Sequence, residues 1–128
     1  MPTKDLNSLL KEANSVVKRL SFEESMNLIN NSETVIIDVR EESEVYNLGI
    51  IKNAIHIPRG LLEFKLIPGS INNPVKIDDK TNILVYCAGG YRSALAAKTL
   101  IEIGFVNVYN LGGFNEWVES GGEIQPNV

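Results

Sequence analysis

The residue types able to do chemistry converge on one short segment, Cys87-Ala88-Gly89-Gly90-Tyr91-Arg92-Ser93. An apolar run, Ile83-Leu84-Val85-Tyr86, leads into the cysteine, and a stretch rich in Ala and Leu with helical character begins at Arg92. Gly89 and Gly90 can take φ > 0, so the loop between them can curl with successive N–H groups pointing inward. Those donors, the helix N-terminus and the Arg92 guanidinium are expected to surround the Cys87 sulfur. All three favour a negative charge there. A free thiol has a pKa of about 8.5, and such surroundings commonly lower it to roughly 3.5–7.5. The segment therefore predicts a persistent Cys87 thiolate in an anion-binding bowl made by Ala88, Gly89, Gly90, Tyr91, Arg92 and Ser93. No separate base is needed to generate it. A cysteine that only filled the core would require neither the two glycines nor the arginine at a helix start.

A sheet has to carry that loop. Thr34-Val35-Ile36-Ile37-Asp38-Val39 holds four β-branched apolar residues within six, the pattern of a strand buried on both faces. Ala54-Ile55-His56-Ile57, closed by Pro58 and Gly60, is a second strand, residues 83–86 a third, and residues 106–109 the last, with Gly112-Gly113 expected to break the chain. Helical patterns lie between them. Leu6, Leu9, Leu10 and Ala13 share one face of a short helix ending near Asn14. Ser21 with Glu24 forms a capping box that starts a helix at Phe22, stopped by Asn30-Asn31. One or two turns fit within residues 40–46, a short helix within 61–66, a long one over 92–103 ended by Gly104, and a final one over 114–119. Residues 16–20 can continue the first helix or form a short edge strand; the strand is favoured because the capping box follows directly.

Alternating strands and helices imply an α/β fold with a parallel sheet covered on both faces, where ligands bind beyond the carboxyl ends of the strands. Asp38, Arg40, Arg59, Gly60, the segment from Cys87 to Arg92, Gly112 and Gly113 fall on that rim; the fourth arginine, Arg19, lies elsewhere. Residues 1–15 read as an N-terminal helical extension and 16–128 as one domain. Asp38 and Arg40 either brace the loop or steer an anion, and a structural ion pair is the preferred of the two. Arg59 either binds an anion or is solvated. His56, the only histidine, sits between Ile55 and Ile57 and reads as a packed, hydrogen-bonded residue rather than a base. Trp117 with Phe114 has the spacing to pack a terminal helix. Glu41, Glu42 and Glu44 read as a solvated face.

The chain has 128 residues, enough for one domain with its own core. Hydrophobic residues at 44% and charged residues at 22% exclude global disorder. A formal net charge of −4 argues against non-specific nucleic-acid binding. No apolar run approaches the roughly 20 residues that span a bilayer. A single cysteine excludes an intrachain disulfide and a cysteine-based zinc site. Lys4, Asp5 and Asn7 leave no apolar signal-peptide core at the start. The expectation is a soluble cytoplasmic protein without metal, membrane or nucleic-acid partner.

Four segments resemble the single-domain rhodaneses, a family of thiosulfate and persulfide sulfurtransferases. They are Val35-Ile36-Ile37-Asp38-Val39-Arg40-Glu41, Gly49-Ile50-Ile51-Lys52-Asn53-Ala54-Ile55-His56-Ile57-Pro58-Arg59-Gly60, Tyr86-Cys87-Ala88-Gly89-Gly90-Tyr91-Arg92-Ser93, and Leu111-Gly112-Gly113-Phe114-Asn115-Glu116-Trp117. They occur in the family's order from about Leu20 to Gly122. The resemblance implies a three-layer α/β/α fold with a parallel five-stranded sheet, a persulfide on Cys87, and no metal or organic cofactor. It implies that Cys87 takes sulfane sulfur from thiosulfate or a persulfide and passes it to cyanide or a thiol. The alternative is a binding or sulfur-relay module that docks a protein partner and has little activity with small donors. Ile50 stands where many members carry histidine. Ala88 and Gly89 are uncharged where some thiosulfate-using members are basic, which weakens thiosulfate as donor more than it weakens persulfide chemistry. Loop length separates two chemistries. Related phosphatases place five residues between cysteine and arginine to hold a tetrahedral phosphate; this chain places four, a size suited to one sulfur atom.

Overall fold

The helical face of Leu6, Leu9, Leu10 and Ala13 becomes α1 (Leu6–Val16), started by the Asp5 carboxylate, which accepts from the Ser8 amide at 2.8 Å. It outlasts Asn14 because the chain turns extended only at Val17. Lys18–Arg19 form β1, a two-residue edge strand. Next is α2 (Phe22–Asn31), where the Glu24 amide donates to the Ser21 hydroxyl at 3.1 Å and the Ser21 amide donates back to the Glu24 carboxylate at 3.0 Å. The chain continues through β2 (Thr34–Asp38), α3 (Glu42–Leu48), β3 (Ile50–Ile51), β4 (Ile55–His56), a 3-10 turn (Arg59–Leu61) and α4 (Leu62–Leu66). It ends with β5 (Asn82–Cys87), α5 (Tyr91–Ile103), β6 (Val108–Gly113), α6 (Phe114–Glu119) and β7 (Ile124–Gln125). This computed structural model describes residues 1–127.

The capping box of α2 carries a pH dependence. The Ser21 amide, and then Lys18 at 2.9 Å, hold the Glu24 carboxyl down from 4.5 to about 2. A depressed carboxyl stabilises the fold above its ordinary value and loses that contribution as pH falls, here from about 4.5 toward about 2. Ser21→Ala is expected to cost about 1 kcal/mol in urea unfolding at neutral pH. Glu24→Gln should flatten the loss of stability across that acid window, and an unchanged acid profile would remove Glu24 from it.

Five strands form one parallel sheet in the order β1-β6-β5-β2-β4, with helices on both faces, giving three α/β/α layers. Alternation along β5 sends Ile83, Val85 and Cys87 into one core with Ala96, Ala97 and Leu100 of α5. It sends Leu84 and Tyr86 into the other with Phe114 and Trp117 of α6 and Phe22 of α2. The α1 helix lies against α5 and wholly buries Ala13.

Two features depart from the expected pattern. The last strand does not stop before Gly112-Gly113: β6 runs through both, pairing Tyr86 with Gly112 and Cys87 with Gly113 after a register shift between Val85 and Tyr86. Backbone pairing with β5 holds glycines that local propensity assigns to a turn. The antiparallel pair β3–β7 was not expected; Ile50 faces Gln125 and Ile51 faces Ile124. Strands of two residues carry no periodicity, and only the return of residues 124–125 creates this pair. Among the described residues no helix is long and apolar enough to cross a membrane.

Candidate active site

Cys87 ends β5, and its sulfur lies under the turn that leads into α5. Gly90 takes φ +93°, a left-handed conformation that turns its N–H back to donate to the Cys87 Sγ at 3.1 Å. The Ser93 hydroxyl lies 3.4 Å from the same sulfur. Burial by itself would push the thiol up. The Ser93 hydroxyl and the amides of Ser93, Gly90 and Gly89 outweigh it and bring the thiol below its ordinary value. The floor of the bowl is tight, with Cys87 only 1% exposed. At its rim Ala88 is half-buried, and Gly89 and Tyr91 are exposed. Gly113 closes one wall: a Cβ there would sit 2.5 Å from the Ala88 carbonyl oxygen. That close approach explains why a glycine ends β6 beside the loop.

The structure brings together Cys87, Ala88, Gly89, Gly90 and Ser93 and places four other arrangements differently from expectation. The Arg92 guanidinium is hydrogen-bonded to a carboxylate rather than to the sulfur. It grips Glu44 of α3 with Nη1 donating to Oε1 at 2.7 Å and Nη2 to Oε2 at 3.0 Å. Glu44 is therefore an ion-pair partner at the site rather than part of a solvated face, and Arg92 draws its carboxyl below the ordinary range. Asp38 and Arg40 form the ion pair that was the preferred reading, but inside the core and not on the rim. Both are wholly buried, with the Arg40 Nη2 donating to Asp38 Oδ2 at 2.7 Å and to the Gly49 carbonyl at 2.6 Å. The Arg40 guanidinium stacks 4.3 Å from the centre of the Phe114 ring. Arg59 donates to Glu63 at 2.9 Å and to the Thr99 hydroxyl at 3.1 Å. Arg19, expected elsewhere, lies on the rim: its Nη1 is 3.0 Å from where a Cβ on Gly90 would be, and it pairs with Glu116 at 2.6 Å. His56 binds the Arg40 carbonyl through Nε2 at 2.8 Å.

Arg19 and Glu44 carried no local signal for the site. Arg19 reaches it because β1 pairs with β6, setting Arg19 opposite Asn110; Glu44 reaches it because α3 packs beside the loop. Asn110 itself, 2% exposed next to the loop, was also missed.

The family model of the rhodanese-like domain matches residues 21–120, which contain this loop and the sheet that carries it. The chain belongs to the rhodanese-like domain family. It is 35% identical over 101 residues to the thiosulfate sulfurtransferase GlpE of Coxiella burnetii, a match covering 78% of this chain and 86% of that relative. It is 35% identical over 88 residues to a tRNA uridine(34) hydroxylase of Prochlorococcus marinus, covering 67% of this chain but only 28% of that longer protein. Among solved structures, a protein of unknown function from Rhodopseudomonas palustris, described as a possible tyrosine phosphatase, superposes with a TM-score of 0.85 at 36% identity, covering 98% of this chain and 97% of its own. This rhodanese-like domain thus spans most of the length of that thiosulfate sulfurtransferase and about a quarter of the hydroxylase.

Proposed function

We propose that this rhodanese-like domain is a sulfurtransferase whose nucleophile is the Cys87 thiolate. The observation that carries the reading is the set of donors on one sulfur: the Gly90 amide at 3.1 Å, with the Ser93 hydroxyl and the neighbouring amides holding the thiol below its ordinary value. The thiolate attacks the outer sulfur of thiosulfate, an S–S bond forms on Cys87, and the old S–S bond breaks with its electron pair leaving on sulfite. An acceptor thiolate or cyanide then attacks the outer sulfur and the Cys87 thiolate leaves. The amides face the charge in both half-reactions. The four residues between Cys87 and Arg92, and Arg92 engaged by Glu44, favour sulfur over phosphate as cargo. A free thiolate suits a reducing compartment such as the cytoplasm.

Intact mass spectrometry before and after thiosulfate tests the proposal. A gain of one sulfur atom, removed by cyanide or dithiothreitol, is expected. A mass unchanged by thiosulfate and by every persulfide donor would overturn it.

One observation favours a second donor class, the persulfide of a partner protein. All four arginines are already matched to carboxylates: Arg19 to Glu116, Arg40 to Asp38, Arg59 to Glu63 and Arg92 to Glu44. A dianion such as thiosulfate therefore meets little free positive charge, whereas a persulfide needs less. Glu44→Gln releases Arg92, and the expected result is a thiosulfate KM lowered roughly threefold or more with kcat changed less than about twofold. A KM that does not fall would mean that Arg92 has no access to the donor.

A further inference from the structure

The loop is fastened to the sheet by one buried side chain, Asn110 on β6, and its hydrogen bonds leave a question about a single proton. Asn110 Nδ2 donates to the Gly90 carbonyl at 2.9 Å, and Asn110 Oδ1 accepts from the Gly112 amide at 3.0 Å. A carbonyl only accepts and a backbone N–H only donates, so these two partners fix the amide's orientation. Ser93 Oγ, 2.8 Å from the same Oδ1, must then be the donor in that contact. A serine hydroxyl has one proton. With that proton on Asn110, Ser93 presents a lone pair to the Cys87 sulfur 3.4 Å away.

A lone pair suits the thiol, whose S–H can donate to it. It opposes the thiolate, which needs donors. When Cys87 ionises, the Ser93 hydroxyl has to rotate away from Asn110 to donate to the sulfur, and Oδ1 is left with the Gly112 amide alone. Asn110 and the thiolate thus compete for the same proton.

We infer that Asn110 is a positioning residue that sets the ionisation of Cys87 through the Ser93 hydroxyl. It holds the hydroxyl proton while Cys87 is a thiol and releases it when the charge forms on Sγ. After sulfur transfer the charge moves to the outer sulfur, and the hydroxyl returns to Asn110. Ionisation sends the Cys87 S–H proton to solvent; Ser93 and Asn110 make or break no covalent bond, and one O–H rotates. The inference rests on Cys87 being the ionised nucleophile, but its test needs no sulfur transfer.

The test is the pH profile of Cys87 alkylation by iodoacetamide, a neutral reagent, in the wild type, Asn110→Ala, Ser93→Ala and the double variant, each checked for folding by thermal melting. Ser93→Ala should raise the midpoint, since it removes a donor. Asn110→Ala should lower it by about 0.5–1 pH unit, since the hydroxyl proton is freed for the sulfur. In the Ser93→Ala background the Asn110 substitution should produce no downward shift. Equal shifts in the two backgrounds would overturn the inference, because Asn110 would then act through the loop and not through Ser93. Should Asn110→Ala not fold, Asn110→Asp replaces it: a carboxylate grips the hydroxyl harder, and its upward shift should be larger with Ser93 present than without. An upward shift of the same size in both backgrounds would overturn the inference equally. A Cys87 that iodoacetamide does not modify at any pH would overturn the nucleophile assignment together with this one, whereas a modified Cys87 with additive shifts removes this one alone.

Discussion

Cys87→Ser is expected to leave a folded protein that transfers no sulfur. The substitution changes one atom, and the serine oxygen can still accept from the Gly90 amide and meet the Ser93 hydroxyl, so the loop keeps its donors' partners. Stability should stay within about 1–2 kcal/mol of the wild type in urea unfolding. A serine hydroxyl at neutral pH is far from ionised and forms no stable persulfide analogue, so the two-step exchange has no carrier. The rate of thiocyanate formation from thiosulfate and cyanide should drop to the level of the uncatalysed mixture, and thiosulfate should add no mass. Even a tenth of the wild-type rate would remove Cys87 from the mechanism.

The largest stability effect is expected at Asp38, away from the chemistry. Asp38 and Arg40 are both wholly buried, and the carboxylate accepts the Arg40 backbone N–H at 2.9 Å as well as its Nε and Nη2. Asp38→Ala leaves a buried guanidinium with the Gly49 carbonyl as its remaining hydrogen-bond partner. Removing one member of such a pair costs about 3–5 kcal/mol, because the other charge stays desolvated. For a chain of this length that lowers Tm by roughly 10 °C or more. Asp38→Leu combined with Arg40→Met should recover much of the loss, since both charges then leave the core together. A single Asp38→Ala variant that loses less than about 1 kcal/mol would show that water reaches Arg40.

What was legible beforehand follows from the range of each interaction. The Ser21/Glu24 box, the Gly104 stop and the run from Asn82 to Cys87 depend on neighbours a few residues away, so composition and spacing expose them. Gly112-Gly113 misled because local propensity assigns glycines to a turn, while pairing with Tyr86 and Cys87 keeps them in β6. Asp38 and Arg40 show the limit of strand-end reasoning. Their position at the end of β2 and just past it is readable, but whether the side chains turn to the rim or into the core depends on what packs over them, here Phe114 and the Gly49 carbonyl.

The sequence by itself determined the position of the cysteine proposed as nucleophile, the loop after it and the layer order. A cysteine ending an apolar strand, followed by two glycines and a helix, is a contiguous pattern, and strand–helix alternation leaves one sensible way to bury both faces of a sheet. Only the tertiary structure decided how the charges around that nucleophile are distributed. Arg92 is turned to Glu44 across 48 positions, Arg19 to Glu116 across 97, and the Ser93 hydroxyl to Asn110 across 17. The physical reason is that a guanidinium or a hydroxyl takes whichever acceptor the packed backbone sets within about 3 Å of it. Those acceptors come from α3, α6 and β6, elements whose approach to the loop is fixed by the core on the two faces of the sheet and not by any residue beside Cys87.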